Sequence, residues 1–492
     1  MGAKANGEAD KEKAERIAAV ADHVFVSLKH MHGITQTWRQ PLGLAASLLL
    51  ARRIPTRMPS VSLPGWQRKV VLQAVRLGRR RPARRVLRAR YGPDASVHDR
   101  IAARMGAVLR IAAAVVQHED AADVLPLVLE NDRGISLRVP GSKAGAPGLA
   151  RIRERCDLWN ELMLLPILSV RALKGDEDAR TLPPSLGMAE AGRRVLWRQM
   201  TQFLSREYGL GCREDREFVH EARVATRRMR ALLRAIKGAY STDLRRIKKP
   251  LLRVADALGE ARDSDVFLAF LAKYEAQAVK SQKQFLRKMI RREQGRCRRR
   301  YRKLAEVVGS PAHRRSMDAL YREVCRPLDH PGGLRSSPGK GMRPLARVGP
   351  RALFKRLKSV WRYKGPLRKF SAEELHRLRI LCKRLRYLAE FLADVYPGRL
   401  QGIVGPAIRM QDLLGDVHDV DVYVERIRLY RETRREREPD KGQDEACEAL
   451  CACLAERRKR RLKQADATWK RFTAAKSQKR LLKRIRQVNG RE

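Results

Sequence analysis

The feature that most constrains the fold is an internal repeat. Residues 218–240, FVHEARVATRRMRALLRAIKGAY, return 156 positions later as residues 374–396, ELHRLRILCKRLRYLAEFLADVY. In that register His220 pairs with His376, Arg223 with Arg379, Arg227 with Lys383, Arg228 with Arg384, Arg230 with Arg386, Tyr240 with Tyr396 and Arg253 with Arg409. The register continues without a gap into LGEARDSDV (258–266) and LLGDVHDVDV (413–422), where Asp263 meets Asp419 and Asp265 meets Asp421. So many matched charges over about 50 residues point to a duplicated helical unit, and two copies of one unit pack most simply about a pseudo-twofold axis.

The repeated segment reads as helix. His220, Arg223, Arg227, Arg230 and Arg234 are spaced 3, 4, 3, 4, which stacks them on one face along about 21 Å. Ala222, Ala225, Met229, Leu232 and Ile236 follow the same spacing on a neighbouring face. The second copy offers Leu378, Leu381, Leu385, Leu388 and Leu392 as its apolar face. Its basic stripe is His376, Arg379, Lys383 and Arg386, with Glu390 in the fifth position. Each helix is therefore expected to pack on one side and to present cations beside it. No acid occurs between Ala222 and Thr242 or between Leu375 and Ala389, whereas a merely solvated face usually mixes signs. Like charges at i,i+4 destabilise a helix by a few tenths of a kcal/mol per pair. Both copies retain that cost, so an anionic partner is expected to offset it. Arg forks and Lys point charges on two facing helices suit a flexible chain of phosphates held from both sides. An adjacent phosphate would raise the pKa of His220 and His376; the alternative for both is a neutral ring capping or packing at the helix start.

The whole chain has the same bias: 107 Lys and Arg against 54 Asp and Glu, a formal net charge of +53 over 492 residues. A fold does not require this, and self-repulsion makes it costly, so the expected partner is a polyanion: nucleic acid, polyphosphate or an anionic membrane. Aromatic residues make up only 5%, which disfavours the base-stacking platforms of single-strand binders. There is no helix-turn-helix signature, no zinc ligand set and no aromatic RNA platform, so nucleic acid is the secondary partner. The longest apolar run, residues 42–50, is too short to cross a bilayer, and no membrane association is expected. The opening MGAKANGEADKEKAER has neither a signal-peptide nor a myristoylation pattern. Eight cysteines, of which Cys447, Cys451 and Cys453 cluster without a nearby histidine, read as reduced thiols in a cytoplasmic protein. Neither a metal nor a cofactor is expected, and the oligomeric state is left open. The pairs Asp263-x-Asp265 and Asp419-x-Asp421 each follow Leu-Gly and precede an apolar run, as an N-cap and first-turn acid would. Ion pairs to the stripe arginines and metal binding are the other readings.

Apart from the repeat, most of the chain has helical periodicity. An exception is VLPLVLENDRGISLRVP (124–140), where Asn131-Asp132-Arg133-Gly134 between two apolar runs predicts a β-hairpin. Breaker-rich stretches at 140–148, 174–187 and 329–344 predict a loop, a domain boundary and a flexible linker. The basic clusters RRPARR (80–85), RREQGRCRRRYRK (291–303) and ERRKRRLK (456–463) read as solvated helix faces that add longer-range attraction.

The H-x-x-R-V-x-x-R-R-M-R run of residues 220–230, its second copy at 376–386, and the Gly-x-x-x-Asp-x-Asp-Val segments at 259–266 and 415–422 resemble the CHAD family, the conserved-histidine α-helical domain. The resemblance spans residues 193–475. It implies two four-helix repeats (193–325 and 351–475, linker 326–350) around a basic pore or groove, non-catalytic binding of inorganic polyphosphate, and association with polyphosphate granules. The implied contacts are His220, Arg223, Arg227, Arg228, Arg230, Arg234, Arg253, His376, Arg379, Lys383, Arg384, Arg386 and Arg409. The acid at Glu390 departs from the basic pattern at one end of the stripe, and the Glu-x-Glu-x-Lys signature of the CYTH domain often fused to this family is absent. Residues 15–173 more loosely resemble the C-terminal HD-like region of the exopolyphosphatase/pppGpp phosphatase family, through HVFVSLKHMHGI (23–34), PLGLAASLLLARRI and RIAARMGAVLRIAAAVVQHED (100–120). Where HD-type relatives carry an adjacent His-Asp, this chain has Leu49-Leu50, which cannot ligate a metal, and the actin-like catalytic domains find no counterpart. The expected fold is all-α, with this degenerate helical domain and its small hairpin, a linker at 174–192, and a duplicated helical-bundle domain. Phosphohydrolysis is the least favoured reading.

Overall fold

The computed structural model describes residues 2–51, 63–117, 127–131, 133–139, 146–172, 182–393, 396, 400–435 and 441–488. In chain order these form α1 (Gly2–Ser27), α2 (Arg39–Ser47), α3 (Gly65–Arg79), α4 (Arg84–Tyr91), α5 (Val97–Gln117), β1 (Leu127–Asn131), β2 (Gly134–Val139), α6 (Ala146–Arg155), α7 (Asp157–Leu162) and β3 (Ile167–Ala172). Ten helices follow: α8 (Met188–Leu204), α9 (Glu217–Ala235), α10 (Arg245–Gln277), α11 (Lys280–Gly309), α12 (Pro311–Cys325), α13 (Leu345–Trp361), α14 (Ala372–Ala393), α15 (Gln401–Arg435), α16 (Lys441–Thr473) and α17 (Ala475–Val488). The predominantly helical class is as expected. The chain divides into two compact units, the first made of residues 1–181, 196–226 and 308–327, the second of 182–195, 227–307 and 328–492.

The first unit is built around α5, whose residues 101–112 are buried on every side, as befits a helix with apolar residues all round. Close approach to α3 depends on Gly106, where a Cβ would lie 2.6 Å from Leu77. The hairpin forms in the expected place: β1 and β2 pair antiparallel from Leu127–Arg138 to Asn131–Gly134. A third strand, β3, joins β2 in parallel and was not anticipated. Ile167–Ala172 (ILSVRA) is short, and periodicity over so few residues does not separate strand from helix. Much of the loop expected at 140–148, the Asp132 position of the hairpin turn and most of the boundary expected at 174–187 lie outside the described residues. Buried Asp215 ties two distant segments of the unit together. Its Oδ2 accepts from the hydroxyls of Thr35 (2.6 Å) and Thr37 (3.1 Å) and from the indole of Trp38 (3.0 Å), while Oδ1 accepts from the Glu217 amide (3.1 Å).

In the second half of the chain the duplication extends to whole helices. α8 and α13 both have 17 residues; α9 and α14 have 19 and 22, α10 and α15 have 33 and 35, α11 and α16 have 30 and 33, and α12 and α17 have 15 and 14. A fifth helix therefore completes each copy of the four-helix repeat implied by the resemblance. Within the second unit, packing details repeat as well. The Tyr240 hydroxyl donates to the Ala189 carbonyl, and that of Tyr396 to the Ala346 carbonyl. A Cβ on Gly192 would meet Ile236 at 2.6 Å, and one on Gly349 would meet Leu392 at 2.6 Å. The segments that enter α8 and α13 pair antiparallel and reciprocally. Met188 N donates to Arg343 O and Leu345 N to Leu186 O; Ala189 N donates to Gly341 O and Ala346 N to Pro184 O. Such exchange of roles between equivalent positions is the signature of a local twofold axis. The long helices of both copies share one core, in which Phe267, Leu271, Phe285 and Met289 of the first meet Val420, Tyr423, Ile427 and Leu450 of the second.

Two sequence expectations need revision here. Asp263, Asp265, Asp419 and Asp421 are not helix-start residues: they lie in the interiors of α10 and α15, because Leu-Gly does not interrupt either helix. The stretch read as a flexible linker has a hydrogen-bonded backbone path: Ser337 N donates to Ala239 O, Ser241 N to Arg335 O, and α13 already begins at Leu345.

Asp215→Ala should lower stability by about 2–4 kcal/mol, because the buried Thr35 hydroxyl and Trp38 indole lose their acceptor. Gly192→Val and Gly349→Val should each cost about 1–3 kcal/mol through overpacking at equivalent contacts. Urea denaturation of the full chain checks both.

Candidate anion-binding site

The apolar faces settle how α9 and α14 are oriented. Ala222, Ala225, Met229, Leu232 and Ile236 are buried, as are Leu378, Leu385, Leu388 and Leu392, with Leu381 half-buried. The basic stripes then lie at the margin of the packed surface. His220, Arg223, Arg227 and Arg230 are half-buried, and so are His376, Arg379, Lys383 and Arg386; Arg234 and Arg384 are exposed. The four stripe positions that both copies fill with His, Arg or Lys thus have matching environments, whereas Arg228 is half-buried and its counterpart Arg384 exposed.

Within the second unit, the later part of the α9 stripe and the α14 stripe converge. Lys383 is the centre. Burial first, then the charges of Arg227, Arg379, Arg234 and Arg230, push its ammonium down from an ordinary 10.5 to about 8. Arg234 is lowered by partial burial and then by Arg384, Arg230 and Arg356. Tyr387 steadies the approach: Arg227 Nε donates to its hydroxyl at 2.9 Å, and the Arg227 guanidinium lies 6.0 Å from the ring centroid. Six predicted contacts, Arg227, Arg230, Arg234, Arg379, Lys383 and Arg384, therefore share one field.

The cluster is bounded by acids. Glu390 accepts from Arg386 Nε at 2.7 Å and from Arg228 at 3.3 Å, so two more of the predicted contacts are tied to one carboxylate. Asp412 lies 4.0 Å from Arg386; burial raises its carboxyl above the ordinary range, against the opposing pull of Arg386. At the other end of the α14 stripe, the rings of His376 and His418 are 5.1 Å apart. His418 is held below its usual range by burial, Arg379 and His376, with Asp421 and Asp263 opposing. His220 and Arg223 lie on the part of α9 that belongs to the first unit. Arg253 and Arg409 are exposed on α10 and α15 and are not among the charges acting on Lys383 or Arg234.

The second aspartate of each pair has a structural partner: buried Asp265 accepts from the Tyr301 hydroxyl at 2.7 Å, and Asp421 pairs with Arg458 at 2.7 Å. Among the described residues no three His, Cys, Asp or Glu side chains assemble as a metal-ligand set. Sequence reasoning missed Arg356, Tyr387, Asp412 and His418. The positions equivalent to Arg356, Tyr387 and His418 hold Gln199, Ala231 and Arg262, so comparing the repeats does not flag them. Only His418 had a visible signal, since it sits inside the LLGDVHDVDV segment that carried the repeat.

Residues 194–428 match the family model of the CHAD domain, within the span expected from the motifs. No curated protein matches the chain. Two similar solved structures are the CHAD domain from the plant Ricinus communis, 22% identical, covering 60% of this chain and 96% of that one with a TM-score of 0.46, and PptA from Streptomyces chartreusis, 16% identical, covering 58% and 99% with a TM-score of 0.45. Among the described residues no helix is long and apolar enough to cross a membrane.

The depressed Lys383 has a stability signature. Between about 8 and 10.5 the unfolded chain binds this proton more readily than the folded chain. Stability from this group therefore climbs as pH rises through that window, and its penalty is complete below pH 8. Lys383→Met should remove the climb and raise the stability of the ligand-free protein at pH 7, as read from urea midpoints across pH 7–10.5. Identical pH slopes for the two proteins would contradict the placement of Lys383.

Proposed function

We propose that the protein binds inorganic polyphosphate along the paired stripes of α9 and α14 and performs no chemistry on it. The observation that carries this reading is Lys383, half-buried and crowded by Arg227, Arg379, Arg234 and Arg230. Cations are held at such density only against a cost in repulsion, and a chain of phosphates would relieve that cost continuously along its length. A linear polyanion also fits two rows better than a compact one. His220 and Arg223 extend the row along the same face of α9, and His376 with Arg379 extends that of α14. Arg228 and Arg386 would exchange Glu390 for phosphate, while Arg253 and Arg409 would add outer contacts. The CHAD match over residues 194–428 supports the same substrate class through the family's association with polyphosphate. Attachment to polyphosphate granules would follow from many such contacts on one polymer.

The N-terminal half, in this reading, is a relative of the exopolyphosphatase HD-like region that has lost its chemistry. Leu49 and Leu50 stand where that family places a metal-binding pair, and Leu49 is buried. The alternative partner is nucleic acid, favoured by the net charge alone. Competition separates the two: long polyphosphate should displace duplex DNA at matched phosphate concentration and fixed salt, and the reverse preference would favour nucleic acid.

Replacing Arg223, Arg227, Arg379 and Lys383 together with Ala should weaken polyphosphate binding by about 100-fold or more while the circular dichroism spectrum is retained. Glu390→Gln should tighten binding about two- to fivefold by releasing Arg228 and Arg386. Unchanged affinity in the folded quadruple variant would reject the assigned stripes. Phosphate release from polyphosphate, with and without divalent metal, should stay at background.

A further inference from the structure

A second basic feature lies wholly within the first unit. α3 and α4 enclose an open cleft of about 410 Å³. Arg76, Arg80, Arg81 and Arg90 line it, over an apolar floor that includes Leu77 and Val86, and none of its lining residues is an acid. From the sequence, RRPARR looked like a solvated helix face, but its arginines and those beside it fall into different groups. Arg84 and Arg88 turn toward Glu161, at 3.1 and 3.5 Å, and so are compensated. Arg76 and Arg80 are exposed, and among the described residues no carboxylate pairs with either. Arg90 reaches Asp99 only at 4.0 Å. Arg81 lies 3.5 Å from both Asp157 and Glu161, and its buried Nε makes no hydrogen bond.

The cleft also holds a fixed polar group. Gln73 donates to Asp99 at 2.7 Å and to the Tyr91 hydroxyl at 3.0 Å. With its oxygen occupied as an acceptor, the Tyr91 hydroxyl keeps its proton to donate. Four guanidiniums, a hydroxyl donor and an acid-free lining amount to a receptor for a compact, multiply charged phosphate group. We propose that this cleft is a second anion site, which binds the oligophosphate moiety of a small ligand independently of the α9 and α14 stripes. The guanidiniums would take the phosphates. Two sources fit that chemistry: a short condensed phosphate, or a nucleoside triphosphate whose organic part rests on the apolar floor.

Calorimetric titration of the full chain with tripolyphosphate and with ATP tests the proposal. It is best done with Arg223, Arg227, Arg379 and Lys383 already changed to Ala, the variant in which the stripes bind about 100-fold more weakly, so that their failure is scored separately. One binding event per chain should remain with at least one of the two probes. Adding Arg76→Gln and Arg80→Gln should weaken it at least tenfold, whereas Arg76→Lys with Arg80→Lys should weaken it less. Tighter tripolyphosphate would assign condensed phosphate, and tighter ATP the organic phosphate. No binding in the stripe-neutral chain, or binding unchanged by the glutamine pair, would overturn the proposal.

Discussion

Mutual repulsion among cations that packing forces together is the constraint on which the rest of the site depends. Lys383 is pressed down to about 8 because it is buried and four arginines act on it. Nothing in the α14 stripe itself offsets this, since no acid occurs between Leu375 and Ala389. The scaffold must therefore supply the energy, through leucine faces such as Leu378, Leu385, Leu388 and Leu392 and the shared core of the long helices. On the proposed function, an anion bound there would be stabilised in part by relief of repulsion already present.

Duplication provides the means to hold two such rows. The reciprocal bonds Met188–Arg343 and Leu345–Leu186 mark a local twofold axis, and Tyr240–Ala189 with Tyr396–Ala346 repeats one clamp in both copies. The copies differ where the charge pattern breaks. Arg234 in one row answers to Glu390 in the other, and Glu390 is engaged by Arg386 and Arg228. One end of the site therefore keeps its full positive charge, while the other is moderated by a carboxylate.

Much of this was legible in the sequence, because it rests on features with a short period. The repeat register, the helical spacing and the two faces of α9 and α14 follow from positions three and four apart, and the burial of Met229 or Leu385 agrees with that reading. What was not legible depends on tertiary contacts. Arg356 enters the field of Arg234 from another helix, and the ring of His418 on α15 comes to lie, tilted, beside that of His376 on α14. The aspartate pairs were misplaced because Leu-Gly resembles a helix break, although Gly259 and Gly415 are simply carried inside long helices whose packing outweighs a local propensity of about 1 kcal/mol. β3 escaped because its six residues, ILSVRA, are too few for periodicity to separate strand from helix.

The most direct measurement is the titration of Lys383 itself, followed by carbon-13 NMR of the lysine side chains, with Lys383→Arg to assign its signal. The account predicts a midpoint near 8 in the ligand-free protein and a rise of about one to two units when long-chain polyphosphate is bound. A midpoint near 10.5 without ligand, or one that polyphosphate leaves unmoved, would contradict it.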